Sequence, residues 1–405
     1  MAVARSAPLA PWQEGMWLHT QLNPDEPVYT IARPMVVGGD LDEGRLRRAL
    51  EVVTRRHETL RTTIQPGPPP VQSVADAAPV DLRTFSADGH DAATRLAVKL
   101  AGETFDLAAG PLWRAALIRY APDEQILLLT MHHLIADGWS VTLLCDDIAA
   151  AYDGVALAEL PTQYADFATE RQRRLTAARR ERQLAFWRDR LHPPPPPLDL
   201  PRASDHRGER EILEIGGDLR DRLVAHGLRH RVTLFATMLG GFACLLGVYC
   251  GARDVVVGCP VSQRQRPELE RVLGLFINTA PVRVRLDDDL TFAELTVRVR
   301  EQMLDAYDNL DVPYAEVLRA TGPVPALFQV TDFHANLLRR LGDAEVTPFD
   351  LPVLPLHHAL EMSVIDHGDR LRVHLIYPPS TWDRQRARDF LGYYENVLTS
   401  ATGEP

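Results

Sequence analysis

An apolar strand that runs directly into two histidines constrains this chain more than any other feature. Residues 126–130 read Ile-Leu-Leu-Leu-Thr, a run typical of a strand that is covered on both faces. His132 and His133 follow, and apolar residues then recur at helical spacing from Val141 to Tyr152. The pattern predicts a strand, a short loop and a helix, with two imidazoles at the end of the strand. Chemistry in open α/β sheets is commonly placed at such strand ends.

The polar residues after this strand suit proton-transfer chemistry. A neutral imidazole accepts a proton near neutral pH, and neighbouring strand residues point to opposite faces, so one histidine faces a given cleft. Asp137 can orient a base or pair with an arginine, and Gly138 permits a close backbone approach. Two histidines at a strand end are also common as structural residues, so the residues alone leave both interpretations open. We expect no metal site, because no further ligands lie at a suitable local spacing.

The spacing His132-His133-x-x-x-Asp137-Gly138 resembles the HHxxxDG signature of the condensation domains of non-ribosomal peptide synthetases. The signature also occurs in related acyltransferases of the chloramphenicol-acetyltransferase-like superfamily. Further segments match the motifs of condensation domains in order, and the resemblance spans nearly the whole chain from Ser6. These segments are residues 12–18, residues 56–62 (Arg-His-Glu-Thr-Leu-Arg-Thr), residues 160–168, residues 274–283 (Gly-Leu-Phe-Ile-Asn-Thr-Ala-Pro-Val-Arg) and residues 309–314.

The chain departs from that family in two places. Residues 321–330 lack the Arg-Asp-x-Ser-Arg run that usually precedes the Pro-Leu-Phe-Gln-Val strand. His357 and His358 stand where the family often has a Phe-Asp-Leu phrase. We interpret this second histidine pair as an ordinary loop or as lining of the substrate channel.

The resemblance implies an α/β fold with two chloramphenicol-acetyltransferase-like lobes. They would form a V-shaped pseudo-dimer with the active site in a tunnel between them. The five prolines at 193–197 favour an extended, stiff segment. We therefore predict an N-terminal lobe over 1–190 that carries the HHxxxDG motif, a proline-rich linker over 191–197 and a C-terminal lobe over 198–405.

The resemblance also implies the chemistry. An acyl group would pass from the 4′-phosphopantetheine thioester of a carrier protein to an amine or hydroxyl, giving an amide or ester. No cofactor would be bound by the chain itself. His133 would deprotonate or orient the nucleophile, and the Gly138 N–H would assist the oxyanion. His132 and Asp137 would support the site, with Arg283 as the partner of Asp137. The residues expected in the substrate channel are Trp139, Ser140, Asn278, His357 and His358.

Other functions stay open. An O-acyltransferase of the same superfamily would use acyl-carrier or coenzyme A thioesters. A non-catalytic recruitment domain usually loses a motif histidine, whereas both are present here. A cyclization domain has aspartates in place of the histidine pair and is disfavoured, as is an epimerization domain, which usually carries a Glu-containing phrase in its second lobe.

The composition limits which partners and which cellular compartment we expect for this chain. The net charge of −11 argues against general nucleic-acid binding. No stretch approaches the roughly 20 apolar residues of a membrane span, and the N-terminus has no secretory signal. Four cysteines without a CxxC pair are typical of a reducing compartment. We expect a cytoplasmic monomer, either free-standing or excised from a larger synthetase. Its partners would be an acyl- or peptidyl-carrier donor and a carrier-bound or free acceptor.

Overall fold

The computed structural model describes residues 3–200, 206–331, 338–352 and 354–403. Its helices are α1 (Pro11–Leu22), α2 (Glu43–Arg56), α3 (His90–Ala101), α4 (Gly138–Tyr152), α5 (Tyr164–Arg174), α6 (Ala177–Leu191), α7 (Gly217–His230), α8 (Leu234–Cys250), α9 (Phe292–Tyr307), α10 (Tyr314–Thr321) and α11 (Arg384–Thr402). Its strands are β1 (Val3–Pro8), β2 (Thr30–Gly38), β3 (Thr62–Gln65), β4 (Val71–Ala75), β5 (Leu82–Ser86), β6 (Trp113–Ala121), β7 (Glu124–His132), β8 (Arg207–Gly216), β9 (Asp254–Ser262), β10 (Ile277–Arg285), β11 (Ala326–Thr331), β12 (Arg340–Leu341), β13 (Ala344–Pro348), β14 (Leu354–Pro355), β15 (Leu360–Asp366) and β16 (Arg370–Tyr377).

The chain forms two compact units, each assembled from three stretches of sequence. The first unit consists of Met1–Thr176, Ser262–Ile277 and Asn336–Pro352. The second unit consists of Ala177–Val261, Asn278–Ala335 and Val353–Pro405. Each unit combines a mixed sheet with helices, which confirms the predicted α/β class.

The first unit is built around strand β7. Its six-stranded sheet has the order β12-β13-β2-β7-β6-β5, and a three-stranded sheet has the order β1-β4-β3. Alternate residues of β7 point to opposite faces of the sheet and pack into two different core layers. Leu127 and Leu129 pack with residues of α2 and α4, whereas Ile126 and Leu128 pack with α3. Burial on both faces explains the continuous apolar run, and β7 followed by α4 confirms the predicted strand, loop and helix.

The second unit has a seven-stranded sheet of order β10-β9-β11-β15-β16-β8-β14. Strand β11 runs parallel to both β9 and β15, while β15, β16, β8 and β14 continue in antiparallel fashion. Helices α8 and α11 contribute Phe242, Phe390 and Tyr394 to its core, where each is completely buried.

These units differ from the predicted lobes. Helix α6, assigned to the N-terminal lobe by sequence, belongs to the second unit, where Trp187 and Leu191 pack into the core. The proline run therefore lies within the second unit. Two later segments return to the first unit: Ser262–Ile277, and Asn336–Pro352, whose strand β13 pairs with β2 at Val346 and Val37. Such returns depend on long-range pairing, which local composition does not reveal.

Among the described residues, no single helix has both the length and the apolar composition needed to cross a membrane. Helices α7 and α8 meet that requirement only as a pair, with a bend of 109° between them.

The packing of the returning segment 262–277 predicts a strong effect of Gly274→Ala. A Cβ at residue 274 would lie 2.0 Å from the ring of Tyr164, which is itself buried and donates a 2.7 Å hydrogen bond to the Leu275 carbonyl. We expect a loss of about 1–3 kcal/mol in the free energy of unfolding from overpacking, measured by urea denaturation. Gly38→Ala is the control, because its nearest neighbour would be 3.9 Å away. Equal stability of the two variants would contradict this packing.

Candidate active site

The motif histidines lie where β7 passes into a single 3₁₀ turn, His133–Ile135, called the histidine turn below. Asp137 follows as the N-cap of α4, its carboxylate accepting a 2.8 Å hydrogen bond from the Ser140 N–H. The His132 side chain is buried, whereas His133 is partly exposed. The two adjacent imidazoles thus have different environments, as the alternation of a strand requires.

His132 is a neutral residue with a defined tautomer. The Leu134 N–H donates to His132 Nδ1 at 3.1 Å, so the ring proton lies on Nε2, which is 3.4 Å from the Thr20 hydroxyl oxygen. That hydroxyl donates its own proton to the Met16 carbonyl at 3.0 Å. Burial, assisted by the neighbouring His133, lowers the pKa of His132 to about 3. His132 therefore acts as a fixed hydrogen-bonding group at neutral pH.

His133 is the less buried residue of the pair. Its Nδ1 is buried and has no hydrogen-bond partner among the described residues, which leaves Nε2 as the candidate proton acceptor. Burial lowers the pKa of His133, while the Asp137 carboxylate and the backbone groups of His133 and Ala136 act in the opposite direction. With its pKa below the ordinary value, the ring is neutral at pH 7 and can accept a proton.

Asp137 is paired with Arg264, and the predicted pairing with Arg283 is wrong. The Arg264 guanidinium lies 3.2 Å from Asp137 Oδ1, and both side chains are almost completely buried. Arg283 instead pairs with Asp254 in the second unit, with guanidinium nitrogens at 2.5 Å and 2.9 Å from the carboxylate. The reason is topological: Arg264 lies on the segment that returns to the first unit, while Arg283 stays on β10 beside the start of β9.

The Asp137 carboxylate is saturated with hydrogen bonds. Its Oδ1 also accepts from the Ser140 hydroxyl at 2.7 Å, and its Oδ2 accepts from the Phe276 N–H at 3.0 Å. Arg264 donates further to the carbonyls of Leu269 and Val272 and lies 3.9 Å from the centre of the Phe276 ring. Since all these groups belong to the first unit, the pair fastens segment 262–277 to the N-terminus of α4.

Sequence reasoning missed Arg264. It is one of three arginines in the stretch 264–271, and neither spacing nor hydrophobic pattern distinguishes it from Arg266 or Arg271. Only burial separates them, because Arg266 and Arg271 are exposed.

Gly138 is the first residue of α4 and is exposed. The first N–H groups of a helix have no partner within the helix, and the helix dipole makes this end attractive to negative charge. The Gly138 N–H therefore lies in a position suited to an anionic oxygen.

The residues predicted to line a channel have mostly structural roles. Ser140 is completely buried, accepts from the Gly274 N–H at 3.1 Å and lies 2.8 Å from the Gly274 carbonyl oxygen, so it lines no channel. Asn278 is buried in the second unit, and its amide donates to the Leu310 and Val312 carbonyls at 3.0 Å and 2.9 Å. Trp139 is partly exposed, and its indole N–H donates to the Glu270 carbonyl at 2.8 Å.

The second histidine pair lies in a loop of the second unit. Glu361 at the start of β15 accepts from the His357 N–H at 2.8 Å, and one of its oxygens lies 3.3 Å from His358 Nδ1. This arrangement fits the ordinary-loop interpretation of the pair. In the part of the chain that the structure describes, no group of three or more His, Cys, Asp or Glu side chains is arranged to hold a metal ion.

Comparisons with known proteins identify one family. The condensation domain family matches residues 3–405. Phosphinothricin tripeptide synthetase PhsC of Streptomyces viridochromogenes is 36% identical over 330 residues, which cover 77% of this chain and 30% of that protein. The chain thus spans less than a third of this much longer relative.

Two solved structures show the same fold. The condensation domain of the monacolin K polyketide synthase MokA is 20% identical with a TM-score of 0.85, and the match covers 100% of this chain and 99% of that one. The X-domain from teicoplanin biosynthesis, solved in complex with OxyB, is 26% identical with a TM-score of 0.86, covering 100% and 95%. These similarities confirm the predicted chloramphenicol-acetyltransferase-like fold.

Breaking the buried ion pair should lower the free energy of unfolding far more than breaking an exposed ion pair. Arg264→Met removes the cation while the Asp137 carboxylate stays buried, so we expect a loss of about 3–5 kcal/mol in the free energy of unfolding. Arg266→Met is the matched control, because Arg266 pairs with Glu170 at 2.7 Å on the surface and should lose no more than about 1 kcal/mol. Urea denaturation measures the free energy of unfolding of both variants. Similar losses would show that the buried pair of Asp137 and Arg264 stabilises the fold no more than a surface pair.

Acid should destabilise the chain partly through His132. Its pKa of about 3 in the folded chain is below the ordinary 6.5, so between these values the unfolded chain binds more protons. Stability is therefore lost as the pH falls from 6.5 towards 3. His132→Asn, which keeps an acceptor for the Leu134 N–H, should make this decline shallower when urea midpoints are measured across the range. The same substitution at His90, whose side chain is 61% exposed, should leave the slope unchanged; equal slopes in all three proteins would refute the assignment.

Proposed function

The chain belongs to the condensation domain family, and we propose that it transfers an acyl group from a carrier-protein thioester to an amine or hydroxyl acceptor. The product would be an amide or an ester. The observation that carries this proposal is the intact HHxxxDG motif, in which a neutral, partly exposed His133 lies between a buried His132 and a fixed Asp137.

The proposed step has a simple balance of bonds. The acceptor nitrogen or oxygen attacks the thioester carbonyl carbon, the carbon–sulfur bond breaks, and the phosphopantetheine thiol of the carrier leaves. The proton lost by the acceptor passes to His133 Nε2 and from there to the departing sulfur. An imidazole with a lowered pKa suits this role because it is unprotonated at neutral pH and readily returns the proton.

The start of α4 supports the negative charge that develops on the carbonyl oxygen. The Gly138 N–H and the dipole of α4 are the groups available there. The Asp137 carboxylate, although close in sequence, is neutralised by Arg264 and occupied by four hydrogen-bond donors. Its charge therefore opposes the oxyanion less than a free carboxylate would.

The proposed partners follow from the same chemistry. The donor is an acyl- or peptidyl-carrier protein, and the acceptor is a second loaded carrier or a free small molecule. The chain would bind no cofactor of its own, since the phosphopantetheine arm belongs to the substrate. In this proposal the chain acts as a cytoplasmic monomer.

A recruitment role is the second candidate. It is favoured by the structural likeness to the teicoplanin X-domain, whose structure was solved with OxyB bound. In such a role the site would hold a carrier-bound substrate for another enzyme without transferring the acyl group. The accessible His133 favours catalysis over recruitment.

Intact-mass spectrometry of an acyl-loaded carrier tests the proposal. The carrier is incubated with amines, alcohols and a second loaded carrier, and acyl loss from the donor should match the gain on one acceptor. His133→Ala should slow transfer by about 10²–10⁴-fold, whereas His90→Ala, at an exposed position, should not. Whether an amine or an alcohol gains the acyl mass distinguishes amide from ester formation. Absence of transfer to every acceptor, with carrier binding intact, would favour recruitment.

A further inference from the structure

The backbone of Leu134, the residue after His133, is held on both sides by side chains. The Leu134 N–H donates to His132 Nδ1 at 3.1 Å, and the Leu134 carbonyl accepts from Gln13 Nε2 at 2.7 Å. The backbone bond within the histidine turn, from the Ala136 N–H to the His133 carbonyl, is long at 3.4 Å. These two side-chain contacts therefore help to fix the turn, and with it the direction of the His133 imidazole.

Gln13 can hold the turn in only one orientation. Its side chain is completely buried, and its Oε1 accepts from the Ala10 N–H at 2.7 Å. Exchanging the amide oxygen and nitrogen would set two donors against each other at Ala10 and two acceptors against each other at Leu134. The amide nitrogen therefore points at the Leu134 carbonyl, and the start of α1 at Pro11 fixes the glutamine backbone.

Helix α1 holds the histidine pair at two points. Gln13 binds the carbonyl of the histidine turn, and Thr20 lies 3.4 Å from His132 Nε2. Residues seven apart in a helix lie on one face, two turns along the axis. One face of α1 thus contacts both the turn that carries His133 and the neighbouring imidazole that supports it.

We propose that Gln13 is a positioning residue for acyl transfer, holding the Leu134 carbonyl so that the His133 imidazole is aimed at the reacting groups. This inference rests on the proposed function of His133. Without the amide donor, the buried Leu134 carbonyl loses its hydrogen-bond partner. The histidine turn then relaxes towards another donor. A displacement of about 1 Å at a reacting group can cost on the order of 10²-fold in rate.

Gln13→Met tests the proposal, because methionine has a similar length and volume but no donor. We expect kcat to fall by about 10- to 100-fold with an unchanged KM for the loaded carrier, using the donor and acceptor found in the transfer assay. The imidazole resonances of His133, assigned with His133→Ala, should shift in the NMR spectrum of the isotope-labelled full chain. A structural role alone would lower stability without moving these resonances.

Gln183→Met is the matched control. Gln183 is equally buried in the second unit, and its amide also clamps a loop: Nε2 donates to the Asp308 carbonyl at 3.0 Å and Oε1 accepts from the Val312 N–H at 2.9 Å. We expect this variant to lose stability but to keep kcat and the His133 resonances of the wild type.

Gln13→Glu gives a second, independent readout. The glutamate retains the acceptor for the Ala10 N–H, but only its protonated form can donate to the Leu134 carbonyl. The transfer rate of Gln13→Glu relative to wild type at the same pH should therefore recover as the pH falls. If Gln13→Met does not fold, Gln13→Glu alone tests whether Gln13 positions His133.

Wild-type kcat and unmoved His133 resonances in folded Gln13→Met, or a Gln13→Glu deficit that does not change with pH, would overturn the proposal. Failure of the proposed function is distinguishable from this result. In that case the wild type transfers nothing, while the NMR comparison still reports whether Gln13 sets the position of His133.

Discussion

The buried pair of Asp137 and Arg264 is the interaction on which the rest of the site depends. A carboxylate taken out of water needs both a cation and hydrogen-bond donors, and Asp137 obtains them from Arg264, Ser140 and Phe276. Because Arg264 and Phe276 lie on the returning segment 262–277, the charge fixes that segment against the start of α4. The histidine turn and Gly138 are thereby held on either side of one anchored residue.

The two motif histidines have identical side chains, but their environments give them different properties. His132 is sealed among Thr20, Tyr29 and Phe105, and its pKa falls so far that it remains a neutral acceptor for the turn. His133 is only partly buried and lies on a turn that the buried partner helps to shape. In the proposed reaction the first imidazole supplies geometry and the second supplies the proton acceptor, so loss of either would impair the site for a different reason.

Local sequence patterns predicted local structure well. The apolar run before His132 and the helical spacing after Ser140 gave β7 and α4, because periodicity reports directly on burial. The resemblance gave the fold and the family. The partner of Asp137, the burial of Ser140 and the division into units were not predictable. They depend on which distant segment returns to which unit, and Arg264 carries no local sign of burial that distinguishes it from its exposed neighbours.

In the proposed reaction, a neutral His133 acts on the nucleophile during acyl transfer. The most direct measurement is the pH dependence of kcat/KM for wild type and His133→Ala with one loaded carrier and one acceptor. Burial lowers the pKa of His133 from 6.5, so the wild-type rate should stay constant near neutrality and decline only below that value. The decline should be absent from the residual activity of His133→Ala. An acidic decline that persists unchanged in the variant would show that another group carries the proton and would contradict the account.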